Sequence, residues 1–235
     1  MTEQDRLLAQ EDARFFAIDK GGTGLAMLAT TEKLPDKSVA SFGLPSGPAL
    51  GLNLAWSAHR KRIAIDVNAL FDLHPPPQGT WPENHSPLFD YLELAVTEII
   101  FSYTAIEGAV NELITPSSKY HRPQKGGRPP VVMVGADIER KISLDEKLKK
   151  ALPEILNIKS PAGETIWHKY SDLQELRDRP VHLKSIDRKA SGPEDETVWG
   201  RLLRLGTEAY PALAQQMIAH FYPTGRRWLD LLRSA

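Results

Sequence analysis

The stretch Ser86-Pro-Leu-Phe-Asp-Tyr-Leu-Glu-Leu-Ala-Val-Thr-Glu-Ile-Ile-Phe-Ser-Tyr-Thr-Ala-Ile-Glu-Gly-Ala-Val-Asn-Glu-Leu113 decides the fold class. Within it Leu92, Val96, Ile99, Tyr103, Ile106, Val110 and Leu113 recur at alternating spacings of four and three. A helix brings a side chain back to one face about every 3.6 residues, so these positions form one apolar stripe. Ser86 is a good N-cap, and Pro87 takes the first helical position, where its missing N–H costs nothing. Thr115-Pro116 ends the run. The spacing therefore predicts a helix of about seven turns. Glu93, Glu98, Glu107 and Glu112 interrupt the same segment, which argues against a membrane span.

Further helices are expected on the C-terminal side. Ser143-Leu-Asp-Glu146 has the form of a capping box ahead of Leu148, Leu152 and Leu156. A third helix runs from about Glu164 through Ile166, Trp167, Tyr170, Leu173 and Leu176. A fourth starts near Glu194, carries Val198, Leu202, Leu205 and Ala209, is interrupted by Pro211, and continues through Met217 to Phe221. A short tail with Trp228, Leu229 and Leu232 follows. Residues 117–130 read as an irregular loop, because they hold Gly126-Gly127 and several prolines. Lys119, Arg122, Lys125 and Arg128 make that loop basic. Together these elements predict an all-α bundle of four to five helices over residues 86–235.

Residues 1–85 form a mixed N-terminal extension that is harder to read. Residues 2–17 have helical character, with Leu7, Leu8, Ala13 and Phe16 as core candidates, and Gly21-Gly22 stops them. Residues 21–52 suit irregular structure or a small hairpin. A helix is expected over residues 53–73, with Leu54, Ile63, Val67, Leu70 and Phe71 leaning to one side. The run from His74 to Pro87 holds too many prolines for a helix or a central strand.

Composition narrows the function classes. The chain has 235 residues, 41% apolar and 25% charged, which suits an ordinary globular protein with a sizeable core. Its formal net charge is -1, so no global field draws it to nucleic acid or membrane, and any nucleic-acid contact needs a local basic patch. Cysteine is absent, which removes disulfides, thiolate metal sites and a cysteine nucleophile. The opening Met-Thr-Glu-Gln-Asp-Arg lacks the pattern of a secretory signal, and a cytoplasmic location is the expectation. No spacing of His74, His85 and His121 suits a metal, no cofactor is implied, and Gly21-Gly-Thr-Gly24 lacks the lysine of a phosphate-binding loop.

The most chemical stretch is Leu173-Gln-Glu-Leu-Arg-Asp-Arg-Pro-Val-His182. Arginine and histidine are frequent enough that chance alone gives on the order of one such Arg-to-His spacing. Context adds weight. The long helix carries Ala105-Ile-Glu107, followed by Asn111-Glu112, so Glu107 and Asn111 share a polar edge one turn apart. An aromatic-rich helix with that pattern, then a later helix ending in Leu-Arg-Asp-x-x-x-His, resembles the HEPN superfamily over roughly residues 86–222. In that resemblance Arg177, Asp178 and His182 fall on the Arg-polar-x-x-x-His motif and Glu107 on the acidic position of the first helix.

The resemblance implies a helical bundle acting as a metal-independent endoribonuclease. It implies a homodimer that brings two motifs together, RNA as substrate, and a role as a toxin or in antiviral defence beside an antitoxin or other defence-system partner. Arg177 and His182 would be catalytic, with Asp178 orienting either of them, and Glu107 and Asn111 supporting. The basic residues Lys119, Arg122, Lys125 and Arg128 are candidates for RNA contact; the alternative is a solvated surface loop. For Arg177 and His182 the alternative is a salt-bridged helix end. For Glu107 and Asn111 it is a buried polar pair that fixes helix register or pairs with Arg177. A second functional class is a non-catalytic module of the same shape that binds RNA, nucleotide or a partner protein. Pro180 departs from a plain helical motif: it removes a backbone donor and disfavours α geometry at Arg179, so the motif is expected where the helix ends.

Overall fold

A computed structural model describes residues 12–19, 25–71, 82, 84–190, 192, 195–222 and 229. The chain is mostly helical. Short antiparallel strands come first: β1 (Ala17–Asp19) pairs with β2 (Leu25–Met27), and β3 (Ala29–Lys33) with β4 (Val39–Gly43). Then come α1 (Gly47–Ile63), a 3-10 turn (Asn68–Leu70) and the long α2 (Ser86–Leu113). A hairpin of β5 (Lys119–Arg122) and β6 (Val131–Val134) runs into α3 (Gly135–Lys141). Next, α4 (Leu144–Glu146) widens into a π-helical turn (Lys147–Ala151) and resumes as α5 (Leu152–Leu156). The chain continues with α6 (Thr165–Val181), a 3-10 turn (Ser185–Arg188), α7 (Val198–Leu203) and α8 (Tyr210–His220).

α2 has the expected bounds, and Ser143 accepts from the Glu146 N–H to start α4; the return half of the expected capping box is replaced, since the Glu146 carboxylate goes to Tyr120 and Arg122. The apolar stripe was only part of what α2 buries. Tyr91, Ala95, Glu98, Ser102, Ala105 and Ala109 form a second buried row beside it, while Leu92, Val96 and Leu113 stay half-buried.

Other expectations need correction. The all-α reading gives way to a mostly helical fold with hairpins, and the supposed loop at 117–130 is largely one of them. Val131-Val-Met-Val134 is a β-branched run that suits a strand and pairs with Lys119–Arg122. The expected helix at 2–17 fails over its described end: Ala13 and Arg14 turn, Phe15 bridges to Pro45, and Ala17 enters β1. Leu7, Leu8 and Gly21-Gly22 lie outside the described residues, as do most of the proline-rich segment, the start near Glu194, and Trp228 and Leu232. The helix placed at 53–73 begins at Gly47 and stops at Ile63. The fourth helix is two: α7 ends at Leu203, and Pro211 sits in the first turn of α8, where it starts that helix instead of interrupting it.

The described residues divide into two compact units. The first draws on the chain up to Asn53, Ala105–Ala162 and the part from Gln215. Its core gathers Ile106, Ala109 and Val110 of α2 with Leu148, Met217, Ile218 and Phe221 around one apolar seam. The hairpin is tied down by Tyr120, which is buried and donates to Glu146 at 3.1 Å.

The second unit comprises Leu54–Thr104 and Gly163–Ala214. Its aromatic layer stacks Tyr103 on Tyr170 at 6.1 Å between ring centres, with Trp167 against Tyr170 at 4.9 Å. A fully buried carboxylate, Glu98, is satisfied on all sides: it accepts from Arg62 Nε at 2.7 Å and from the Tyr210 N–H at 3.2 Å, and contacts His59 Nδ1 at 3.0 Å. Buried charges survive only when paired and hydrogen-bonded in this way. Burial works to lower the Arg62 guanidinium's pKa, but the hydrogen bond and charge of Glu98 raise it overall.

Candidate functional site

The sequence motif occupies the last turn of α6. Trp167, Tyr170, Leu173 and Leu176 form the buried face of this helix at steps of three. The next step on that face is Arg179, which is buried too. Arg177 and Asp178 are half-buried, and His182 is the exposed C-cap. Pro180 leaves the helix intact to Val181, and the His182 N–H donates to Asp178 O at 2.8 Å. The motif thus stands at a helix end.

Arg177 is held on two sides. Its Cζ lies 4.5 Å from the centre of the Tyr103 ring, and its Nη1 donates to Asp178 Oδ1 at 2.8 Å. The aromatic face attracts the cation and fixes the plane of the fork. Because Tyr103 is itself stacked on Tyr170, the guanidinium rests on an aromatic layer anchored in the core. About a third of the Arg177 side chain meets solvent, at 32%.

Arg179 serves another purpose. Its Nε and Nη2 reach Asp187 at 3.1 and 2.6 Å, and Nη2 also donates to Glu196 O at 3.3 Å. Asp187 accepts as well from the backbone N–H groups of Val198 at 2.8 Å and Lys184 at 3.0 Å. The Arg179 hydrogen bond, reinforced by these N–H groups, holds the Asp187 carboxyl at about 2. This cluster ties the segment after His182 back to α6. Sequence reasoning passed over Arg179, although the three-residue step from Leu176 marks it.

The supporting residues of α2 belong to the first unit. Asn111 accepts from Lys147 Nζ at 2.9 Å, and the same ammonium donates to Glu139 O at 2.9 Å. Lys147 is buried in the π-helical turn; burial lowers its pKa, opposed by the nearby charges of Glu107 and Glu139. Asn111 therefore has a structural partner, and that partner is a lysine absent from the sequence reading. Glu107 is half-buried.

The basic residues of 119–128 sit on the hairpin. Arg122 forks onto Glu146 at 3.0 and 2.8 Å, so its charge is engaged. Lys119, Lys125 and Arg128 are exposed. Burial, and then Glu146, push the Tyr120 phenol up to about 12. His121 Nδ1 meets Glu154 at 2.7 Å, so it is committed to a surface pair.

A polar cleft of about 350 Å³ opens in the second unit. α6 contributes Lys169, Asp172 and Leu176; Arg201, Arg204 and Leu205 come from α7 and the residues after it; Glu196, Glu208 and Tyr210 complete the lining. None of these charged residues was singled out from the sequence. Among the described residues there is no group of three His, Asp or Glu side chains placed to hold a metal, and no helix long and apolar enough to cross a membrane. No family model, no curated protein and no solved structure matches this chain.

Proposed function

We propose that this protein is a metal-independent endoribonuclease of the HEPN type, with Arg177 and His182 as its catalytic pair. One observation carries the reading: a half-exposed arginine, braced on Tyr103 and Asp178, shares the end of α6 with an exposed histidine. RNA supplies its own nucleophile, the 2′-hydroxyl beside the scissile phosphate. The 2′-oxygen attacks phosphorus, the bond to the 5′-oxygen breaks, and a 2′,3′-cyclic phosphate and a free 5′-hydroxyl result. One group must take the 2′-proton and another must give a proton to the leaving oxygen. Histidine can do either near neutral pH. Arg177 would neutralise charge building on the phosphate oxygens through its planar fork. A single Arg–His pair supplies too few groups for both transfers, so the working form in this reading is a homodimer joining two motifs. A toxin or defence role beside an antitoxin-like partner belongs to the same reading.

The test is cleavage of a labelled single-stranded RNA in EDTA. Arg177→Ala and His182→Ala are expected to lower the rate at least 100-fold while melting temperature and circular dichroism stay unchanged. Cleavage undiminished in both variants, or dependent on added Mg²⁺, would sink the proposal. One observation favours a second reading, a non-catalytic binding module: Asp178 occupies part of the Arg177 fork at 2.8 Å. RNA bound without any product formed would select it.

A further inference from the structure

The cleft of the second unit has features that an ordinary surface groove lacks. Among the described residues, Lys169 and Arg204 make no side-chain hydrogen bond or ion pair, and both are exposed into it, whereas Arg201 is committed to Glu175 at 2.8 Å. Its walls are fixed from behind by buried arginines. Arg62 donates to Gly206 O at 2.7 Å and to Glu208 O at 2.9 Å, and Arg179 donates to Glu196 O. The backbone that carries two of the cleft's carboxylates is therefore set before any ligand arrives, which lowers the ordering cost of binding.

Three further points narrow the ligand. The volume falls in the range of about 300–1,000 Å³ typical of small-molecule sites, room for one nucleotide and far too little for a duplex. The lining mixes cations with Asp172, Glu196 and Glu208, so phosphate alone is a poor complement. A nucleotide matches both signs, since its phosphate is an anion while its 2′-hydroxyl and unpaired base N–H groups are donors. Finally, Leu176 lines the cleft and is followed directly by Arg177, so the cleft wall begins within one helical turn of the motif.

We propose that this cleft seats one nucleotide of a single-stranded RNA next to the scissile phosphate. Lys169 and Arg204 hold its phosphate, and Asp172 and Glu208 accept from its 2′-hydroxyl and base. The inference rests on the ribonuclease reading for its position beside Arg177, but its binding test is separate.

The experiment is fluorescence anisotropy with a labelled single-stranded RNA, in the His182→Ala background so that the strand stays intact. Lys169→Glu with Arg204→Glu is expected to weaken binding at least tenfold and to flatten the salt dependence by about 0.7 in log–log slope, the value for one phosphate neutralised on a single strand. DNA of the same sequence is expected to bind several-fold more weakly than RNA, and Asp172→Ala with Glu208→Ala to erase that difference. Circular dichroism and melting temperature confirm that each variant is folded. Equal binding by the charge-reversed pair overturns the cleft, as do equal RNA and DNA affinities before substitution. Loss of binding only when Lys125 and Arg128 are reversed also overturns it, by moving the contact to the hairpin. RNA held through the cleft by a wild type that cleaves nothing defeats the nuclease alone. Cleavage in a protein whose cleft variants bind like their parent defeats the cleft alone.

Discussion

Arg179 presents its guanidinium to a carboxylate that water does not reach, since the Asp187 side chain is 0% exposed. Removing Arg179 leaves the buried Asp187 carboxylate without its counter-charge, with only the Val198 and Lys184 N–H groups still donating to it. Arg179→Ala is therefore expected to destabilise the fold by about 3 kcal/mol, read from urea melts at pH 7. The pH dependence follows from Asp187, whose carboxyl is held at about 2 in the folded chain, below the ordinary aspartate value of about 3.9. A depressed carboxylate contributes its stability above the unfolded value and loses it as pH falls through the folded one. Asp187→Asn should thus lie well below wild type at pH 7, and the gap should close as pH falls from about 4 to 2. A gap that persists to pH 2 would mean the pair matters through shape and not through charge. Arg177 and Arg179 look alike in the string Leu-Arg-Asp-Arg-Pro, and only helix phase separates them. That phase was present in the sequence at Trp167, Tyr170, Leu173 and Leu176, and it points to Arg179 as the buried arginine. Glu98 was harder to place, because a carboxylate beside an apolar stripe reads as solvent-facing until Arg62 and His59 of a distant helix are known to meet it.

Elements whose signal is local were legible, and those that depend on partners were not. α2 announces itself by period and cap, and α4 by Ser143. The β5–β6 hairpin was hidden because its Gly126-Gly127 and prolines belong to the turn region, while the strand signal is confined to Val131–Val134. It depends on tertiary anchors, Tyr120 and Arg122 on Glu146, that sit on another element. Gly135, where β6 passes into α3, is a further condition no pattern shows. A Cβ there would lie 2.2 Å from Thr115 O, a backbone atom that cannot swing aside. Gly135→Ala is expected to cost about 2 kcal/mol by overpacking, visible as a lower urea midpoint. The equivalent change at Gly47, where a Cβ meets nothing within 4 Å, should stay within about 0.5 kcal/mol. Equal losses at the two sites would remove the clash as the cause. Pro180 reads from sequence as a helix terminator and does mark the last turn of α6, but it lies inside the helix: it gives up its own bond to the carbonyl four residues back, and the ladder continues after it, with the His182 N–H donating to Asp178 O at 2.8 Å.

At the scale of the whole molecule, a net charge of -1 gives no long-range pull on RNA, so under the proposed function recognition has to come from local arrangement. The sequence offered the hairpin cations for that task. The proposed nucleotide cleft would add Lys169 and Arg204, which line it in the same compact unit as Arg177 and His182. They escaped notice because they lie 35 residues apart, one on α6 and one just past the end of α7, and make no cluster in the string. The reading also commits the protein to a particular stoichiometry. If one Arg–His pair cannot move both protons, an active particle needs two intact copies, and an inactive copy should poison a good one. Wild-type protein at fixed concentration is mixed with a fourfold excess of His182→Ala, which removes one of the two proton-transfer groups from each mixed dimer, and left to exchange subunits. Random pairing leaves about one-fifth of the wild-type chains in intact dimers, so activity should fall roughly fivefold by mass action. Sedimentation velocity on the same mixture checks that the dimer is the main species. Unchanged activity in a confirmed mixed dimer would show that each chain cleaves alone, and the two-motif mechanism would have to be given up.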